Sequence, residues 1–244
     1  MHSRETVAAA LEMSRSGASS VAIGSALGIP ARTVRDWVRG SVPRFADAGL
    51  CSRCLGRHEF SALTSEYVYV LGLYLGDGCL SQHPRDVYKL RLTLDAAYPK
   101  IVASALGAVR AVAGKGGVYR RSDHCVEVFS YWRQWPCHFP QHGPGPKHAR
   151  PVALTAWQHE LTRRWPHHLL RGLIHSDGCR VINTGSGGWS APRYAFKNHS
   201  EDIHRIFQSA CGALGLRYSV ARHVTYISRK ADVTRLDEFV GPKA

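Results

Sequence analysis

An eleven-residue segment occurs twice in this chain, one hundred residues apart, and this duplication constrains the fold more than any other feature. The first copy, residues 69–79, is YVLGLYLGDGC, and the second, residues 169–179, is LLRGLIHSDGC. A segment repeated at a fixed interval predicts two copies of one structural unit. We therefore expect two related halves with matching elements after each copy.

Matching secondary-structure elements are predicted after each copy. Residues 88–95 alternate between apolar and polar side chains, as a half-buried strand does. The first half is assigned a strand at 88–95, a helix at 99–113 and strands at 118–121 and 125–130. The second half is assigned strands at 180–183 and 193–198, a helix at 200–214 capped by Ser200, strands at 216–221 and 224–228, and a helix at 231–240. Each half is thus predicted as helix, two strands, helix, two strands, with a closing helix clear only in the second.

Small residues recur four positions apart within each repeat helix: Gly72 and Gly76 in the first, Gly172 and Ser176 in the second. Residues four apart lie on one face of a helix. A glycine inside a helix costs about 1 kcal/mol relative to alanine, so its presence needs a compensating reason. Close backbone contact between the two repeat helices supplies that reason, and we expect them to pack through these faces.

Such packing brings Asp77 and Asp177 together at the C-terminal ends of the two helices, where Gly78 and Gly178 are able to adopt a left-handed capping conformation. Carboxylates are unfavourable there, because a helix C-terminus already carries about half a negative charge. Mg²⁺ prefers oxygen ligands and resolves this conflict. We predict two or more Mg²⁺ ions that assist phosphodiester hydrolysis, held by Asp77, Asp177, Gly76 and Ser176. For either aspartate alone, the alternative is an ordinary Asp-Gly turn after a buried helix.

The paired motifs and the elements after them resemble the LAGLIDADG homing endonucleases over residues 61–241. The resemblance implies a pseudo-twofold pair of antiparallel sheets that straddles the DNA major groove. It also implies that Asp77 and Asp177 are the catalytic acids, one for each DNA strand. Leu75 and His175 stand where the family name has its first Asp, which is not the catalytic position.

The family also places basic side chains near the active centre from its later strands. Lys230 is the best match in the second half and is assigned a catalytic role, whereas Arg133 is a poorer match in the first half. For each of them the alternative is a solvated surface charge.

The N-terminal residues 5–40 are predicted to form helices at 7–14, 20–27 and 31–39, broken by the turn Gly28-Ile29-Pro30. Leu27, Ile29, Val34 and Trp37 have the spacing that packs one helix across another in a helix-turn-helix. Three outward residues of the last helix are assigned as DNA contacts: Arg32, Thr33 and Arg35. The alternative is a small helical cap with a charged surface.

Residues 43–60 lack a sustained period and are interpreted as a linker. They contain Cys51 and Cys54 at the spacing of zinc ligands, but a closed structural site needs four ligands. His58 is a candidate third ligand, and Cys137 with His142 would complete a site if the fold brings them together. One interpretation is structural Zn²⁺ held by Cys51, Cys54, Cys137 and His142. The other is a pair of thiols in a linker and an ordinary Pro/Gly-rich loop at 136–151.

Basic residues exceed acidic ones by 32 to 18, and the formal charge of +14 indicates a polyanionic partner, most simply double-stranded DNA. The longest apolar run, residues 67–75, is far below the roughly 18 to 20 residues that span a bilayer. The N-terminus has no signal-peptide pattern, and seven cysteines without regular spacing fit a reducing compartment. We therefore expect a cytoplasmic protein with no membrane partner.

Basic residues on or beside the predicted strands are candidates for groove and phosphate contact. They are Lys89, Arg91, Arg120, Arg193, Lys197, Arg217 and Arg222. The strand register, and hence which of them face DNA, does not follow from the sequence.

The sequence as a whole predicts an α+β fold with two pseudo-symmetric αββαββα halves that form a DNA-binding saddle, plus a small all-α helix-turn-helix domain. The predicted boundaries are 1–42 for the helix-turn-helix, 43–60 for the linker, and 61–150 and 151–244 for the halves. Because the halves supply pseudo-symmetry and no intein splicing ends are apparent, we expect a free-standing monomer.

The predicted function is a site-specific, Mg²⁺-dependent double-strand DNA endonuclease. The alternative is a non-cleaving transcription regulator, since some bacterial regulators resemble the same combination of modules. Those regulators usually have degraded acidic positions, whereas this chain retains both Asp77 and Asp177. An RNA-splicing cofactor on the same scaffold has no distinguishing residue here.

Overall fold

The structure is a computed structural model, and it describes residues 2–42, 51, 53–54 and 56–241. The chain divides into two compact units, residues 1–58 and residues 59–244. No helix in the described ranges is both long enough and apolar enough to cross a membrane.

The described part of the first unit contains three helices, α1 (Arg4–Arg15), α2 (Ser20–Leu27) and α3 (Ala31–Val38). The hydroxyls of Ser3 and Ser19 accept backbone hydrogen bonds at the starts of α1 and α2. Gly28 ends α2 in the left-handed conformation at φ 65°, which favours glycine. Ile29, Val34 and Trp37 are buried together in one core, as their spacing predicted.

The first half of the second unit starts with α4 (Ser65–Leu75), β1 (Gly78–His83) and β2 (Val87–Asp95). It continues with α5 (Pro99–Ala113), β3 (Gly117–Arg120), β4 (Cys125–Trp132) and a one-turn helix, α6 (Trp135–His138). The helix predicted at 99–113 is confirmed at both ends.

The second half contains α8 (Pro166–Asp177), β5 (Gly178–Thr184), β6 (Ser190–Lys197) and α9 (Glu201–Ala213). It ends with β7 (Ser219–Ala221), β8 (Val224–Ile227) and α10 (Lys230–Phe239). Ser200 caps α9 by accepting a hydrogen bond from the backbone N–H of Ile203, as predicted.

Each half forms one four-stranded antiparallel sheet, with strand order β1-β2-β4-β3 in the first and β5-β6-β8-β7 in the second. Leu90, Leu92 and Leu94 of β2 are buried in the core, while the residues between them are half-buried, so the predicted alternation is confirmed. The predicted succession of two αββαββ halves is confirmed as well.

A connector between the halves includes a helix that the sequence pattern did not indicate, α7 (Ala156–Arg164). Gln158 of α7 is fully buried and donates from Nε2 to Tyr67 Oη at 2.8 Å. Tyr67 Oη donates in turn to the carbonyl of His138 at 2.6 Å. The connector is therefore hydrogen-bonded to the beginning of α4.

Candidate functional site

The two repeat helices, α4 and α8, contact each other through glycine. A Cβ atom on Gly72 would lie 2.6 Å from the carbonyl oxygen of Leu169 and 2.9 Å from Gly172 Cα. A Cβ atom on Gly172 would lie 2.4 Å from the carbonyl oxygen of Tyr69. No side chain fits at such distances, so the predicted packing through Gly72 and Gly172 is confirmed.

The C-terminal ends of these helices also meet. A Cβ atom on Gly76 would lie 2.6 Å from Ser176 Cβ and 3.0 Å from Asp177 Oδ2. Asp77 lines a small cleft together with His175 and Ser176 of the other helix. The aspartate of each repeat therefore lies beside the helix end of the other repeat.

Gly78 and Gly178 serve a different purpose from the one predicted. Neither adopts a positive φ, and Gly178 is extended at φ −105° and ψ 165°. A Cβ atom would lie 2.4 Å from Tyr74 Cα at Gly78 and 2.7 Å from Ile174 Cα at Gly178. The left-handed cap prediction is wrong: glycine is needed here because the first strand starts against the last turn of the helix.

Lys147 supplies a positive charge at the end of α4. Its Nζ donates to the carbonyl oxygens of Leu75 at 2.9 Å and Gly76 at 2.6 Å, and to that of Tyr74. It also lies 5.0 Å from the centre of the Tyr74 ring. Burial lowers the pKa of this ammonium to about 8, although the charges of Asp177 and Asp77 act in the opposite direction. One cation thus interacts with the helix carbonyls and both aspartates.

The two aspartates have different surroundings. Asp177 is half-buried, and its Oδ2 accepts a hydrogen bond from Asn198 Nδ2 at 2.5 Å. Asp77 is exposed. Gly78 pairs with Leu92 and Gly178 with Phe196, so Leu94 is the first-half counterpart of Asn198. An amide donor therefore holds Asp177, and an aliphatic residue stands at the corresponding position near Asp77.

Sequence reasoning missed Lys147 and Asn198. Lys147 lies in the segment interpreted as a loop, far from both repeats in the sequence, and no local pattern connects it to a helix end. Asn198 directly follows β6, and an alignment of the two halves by strand pairing would have marked it as a polar residue where the first half has leucine.

The predicted catalytic lysine, Lys230, is exposed at the first residue of α10. Arg133 donates to the carbonyl oxygen of Arg85 at 2.8 Å, beyond the last residue of β4. A role for Lys230 near the aspartates stays a prediction.

One face of the first sheet is polar and lies opposite the core. Residues paired across an antiparallel sheet share a face, so Lys89, Arg91, Phe129 and Tyr131 lie together on this polar face. Glu127 lies there too, is buried, and forms an ion pair with Lys89 at 2.5 Å. The charge of Lys89 is thus largely compensated within the protein.

The corresponding polar face of the second sheet carries Arg193 and Lys197. The guanidinium of Arg193 lies 4.3 Å from the centre of the Tyr226 ring, and Lys197 is exposed. Basic side chains next to aromatic rings therefore occur on the polar faces of both sheets.

The other predicted strand contacts lie elsewhere. Arg120 pairs with Val126 and therefore points to the opposite side of the first sheet, where it lies 3.7 Å from Asp123. Arg217 precedes β7, and Arg222 occupies the β7–β8 turn at φ 51°. Both are exposed.

In the first unit, Arg32 and Arg35 are exposed on α3, and Thr33 is half-buried. The opposite side of α3 carries the buried residues Val34 and Trp37. The outward orientation predicted for the two arginines is confirmed, while their contact with DNA stays a prediction.

Of the predicted zinc ligands, His142 is not among the described residues whose ligand atoms cluster with those of Cys51 and Cys54. Cys51, Cys54 and His58 of the first unit have ligand atoms within 4.8 Å of one another. Cys137 belongs to α6, and His142 packs against Tyr88 with 5.8 Å between the ring centres.

No protein-family model and no curated protein matches the sequence. Solved structures with a similar fold include the LAGLIDADG meganuclease I-AabMI bound to uncleaved DNA, with a TM-score of 0.46 and 13% identity over 72% of this chain and 83% of that one. I-DmoI in complex with DNA and Mn has a TM-score of 0.44 and 13% identity over 72% of this chain and 96% of that one. The N-terminal LAGLIDADG domain of DUF199/WhiA has a TM-score of 0.41 and 11% identity over 75% and 84%.

Proposed function

We propose that this protein is a site-specific, Mg²⁺-dependent endonuclease that cuts both strands of double-stranded DNA at a centre formed by Asp77 and Asp177. One observation carries the proposal: two aspartate-bearing helix ends, one from each repeat, meet around a single position that already attracts a cation. The ammonium of Lys147 interacts there with both carboxylates and with three helix carbonyls.

The residues at this position fit a divalent metal ion. Mg²⁺ binds carboxylate and carbonyl oxygens, and Asp77, Asp177 and the carbonyl of Gly76 provide both kinds. Bound Mg²⁺ supplies a Lewis acid that stabilises charge on a phosphodiester and lowers the pKa of water. We propose Asp77, Asp177, Gly76 and Ser176 as its ligands.

The protein's own residues prepare this centre. The amide of Asn198 donates to Oδ2 of Asp177 and so restricts the rotamer of this carboxylate. The glycine contact of α4 with α8 fixes the separation of the helix ends, and with it the spacing of the two acids. Lys147 compensates the negative charge of the helix end before a metal ion arrives.

We propose that DNA lies across the polar faces of the two sheets, which would form the saddle. Arg193, Lys197 and Arg91 offer positive charge for phosphates, and flat arginine side chains are suited to base edges in the major groove. The exposed Arg32 and Arg35 of α3 would read a second segment of the same DNA.

A second candidate function is a DNA-binding regulator that does not cut. The contact of Lys147 with the Gly76 carbonyl, at 2.6 Å, favours this candidate, because a side chain of the protein then takes the place of the metal ion.

Cleavage of selected DNA separates the two functions. Binding sites are first selected from a randomised library, then placed in a supercoiled plasmid and incubated with the protein and Mg²⁺ or Mn²⁺. An endonuclease linearises the plasmid, and Asp77→Asn or Asp177→Asn slows linearisation by about 10³-fold, equivalent to about 4 kcal/mol.

Asp123→Asn, a change of an exposed acid in the β3–β4 turn, serves as the matched control and should cut like the wild type. If the wild type binds the selected sites tightly and leaves them intact with every divalent ion tried, the regulator is correct and the endonuclease proposal is overturned.

A further inference from the structure

Three potential metal ligands lie together in the first unit. The sulfur atoms of Cys51 and Cys54 and a ring nitrogen of His58 lie within 4.8 Å of one another, and Cys54 Sγ is 3.2 Å from His58 Nε2. The proposed endonuclease chemistry uses none of these residues.

A backbone hydrogen bond spans part of the cluster. The N–H of Cys51 donates to the carbonyl of Gly56 at 2.9 Å, so the first cysteine is held close to the residue two positions before the histidine. Cys54 is buried, whereas Arg53 and Arg57 beside the ligands are exposed. Cys51 and His58 are half-buried, so all three candidate ligands are more shielded from solvent than the neighbouring arginines.

The chemistry of the donors selects the metal. Two thiolates and an imidazole favour Zn²⁺, with metal–sulfur distances of about 2.3 Å and metal–nitrogen distances of about 2.0 Å. Such bond lengths in a tetrahedral site place ligand atoms about 3.5 to 4 Å apart, comparable to the spacing found here. Mg²⁺ and Ca²⁺ prefer oxygen ligands and are poorly matched.

We propose that Cys51, Cys54 and His58 bind a structural Zn²⁺ ion. Zinc binding lowers the free energy of the folded loop, because the unfolded segment has no preformed site. The ion would rigidify the segment that follows the three N-terminal helices. A structural zinc site has four ligands, and Cys137 stays a candidate ligand predicted from the sequence.

Metal content tests the proposal directly. Untagged full-length protein, purified without added metal or chelator, should contain one equivalent of zinc, as measured by elemental mass spectrometry. Cys51→Ser and Cys54→Ser should each lose most of it. Cys179→Ser, which changes an exposed cysteine at the last position of the second repeat, is the matched control and should keep the full equivalent.

Cobalt provides a measurement that does not depend on the folding of variants. Co²⁺ titrated into wild-type protein stripped of metal should produce a thiolate-to-cobalt charge-transfer band that saturates at one equivalent, and Zn²⁺ should remove the band. Wild-type protein that contains no zinc and gives no such band under reducing conditions would overturn the proposal.

Trypsin reports on the loop itself. Cleavage after Arg53 and Arg57 should become at least tenfold faster when a chelator removes the metal, whereas cleavage after Arg121 in the β3–β4 turn should not change. Equal rates at Arg53 and Arg57 with and without metal would contradict a structural role. These readouts need no DNA, so their failure would leave the endonuclease proposal untouched, and failure of cleavage would leave the zinc proposal untouched.

Discussion

The two halves of the second unit share an order of elements but hold their aspartates in different ways. Asp177 is the last residue of α8 and is fixed by Asn198, whereas Asp77 lies two residues beyond the end of α4 and is exposed. Lys147 binds the end of α4. Duplication preserved the acids and the glycine contact, while the groups around each acid diverged. The two acids are therefore expected to differ in how strongly they depend on their neighbours.

Both halves contribute a glycine to the contact between α4 and α8. Disrupting this contact should cause the largest loss in the free energy of unfolding. Gly172→Ala and Gly72→Ala each place a methyl group within 2.4 to 2.6 Å of a carbonyl oxygen of the other helix. We expect each change to destabilise the protein by about 3 kcal/mol. Urea unfolding monitored by circular dichroism measures this loss.

Gly107→Ala provides the matched control, because Gly107 lies inside α5 with open space around it. There, alanine should stabilise the protein by about 0.5 to 1 kcal/mol. Equal effects at Gly72 and Gly107 would show that helix propensity, rather than the contact between repeats, determines the outcome.

Asn198 donates a hydrogen bond to the aspartate of the second half, whereas the first half has Leu94 at the corresponding position. Removing this hydrogen bond should therefore impair one aspartate more than the other. Asn198→Ala deprives Asp177 of an amide donor, and a hydrogen bond to a charged group contributes about 1.5 to 3 kcal/mol. We expect cleavage of one strand to slow by about tenfold, so that nicked plasmid accumulates. Quantifying nicked and linear DNA over time measures this change. Slowing of both strands by the same factor would contradict a role limited to one half.

Lys147 interacts with the end of the first repeat helix. Its replacement should leave the proposed metal site free for a divalent ion. Lys147→Met removes a cation from three carbonyls, so the metal-free protein should lose about 1 kcal/mol of stability. Mn²⁺ should restore more stability to this variant than to the wild type, because the ion then takes the place of the ammonium. Thermal unfolding at several Mn²⁺ concentrations measures both effects.

Lys115→Met, at an exposed position before β3, is the control for loss of a surface charge. Identical Mn²⁺ responses of the Lys147 variant and the wild type would show that the lysine and the metal occupy separate positions.

Replacing basic residues on the two polar faces should have the smallest effect, a modest loss of affinity for DNA. Arg193→Ala should weaken DNA binding by about 1 kcal/mol and lower the slope of affinity against salt by about 1. Lys89→Ala should do less, because Glu127 already compensates that charge. Binding isotherms at several salt concentrations measure the loss of affinity in both variants. A larger loss in Lys89→Ala than in Arg193→Ala would contradict the prediction.

Local patterns predicted most of the fold correctly. The helices at 20–27 and 99–113 and the alternation in β2 follow from short-range periodicity, which burial of one face enforces. The packing of α4 on α8 was predicted because glycine inside a helix is costly unless it permits a close contact. Helix α7 escaped prediction because its buried polar residue, Gln158, finds its partners in Tyr67 and Gln141, which are distant in the sequence.

The candidate site was less accessible to sequence reasoning. The aspartates were found because they are repeated, but Lys147 and Asn198 each occur in only one half and leave no repeated pattern. The role of Gly78 and Gly178 was misjudged, since a tight strand start and a left-handed cap both require glycine. Only the backbone geometry distinguishes the two.

The segment that follows β4 contacts the first repeat helix at both ends, through His138 and Gln158 near its beginning and through Lys147 at its last carbonyls. This segment therefore stabilises both ends of that helix and also links it to the second repeat. If the gene were divided into two separately expressed fragments, the fragment with the first repeat would need to retain residues through Lys147 to complete its helix end. A division directly after β4 would place these contacts on the second fragment, so the end of the first repeat helix would have its cation only after the two fragments associate.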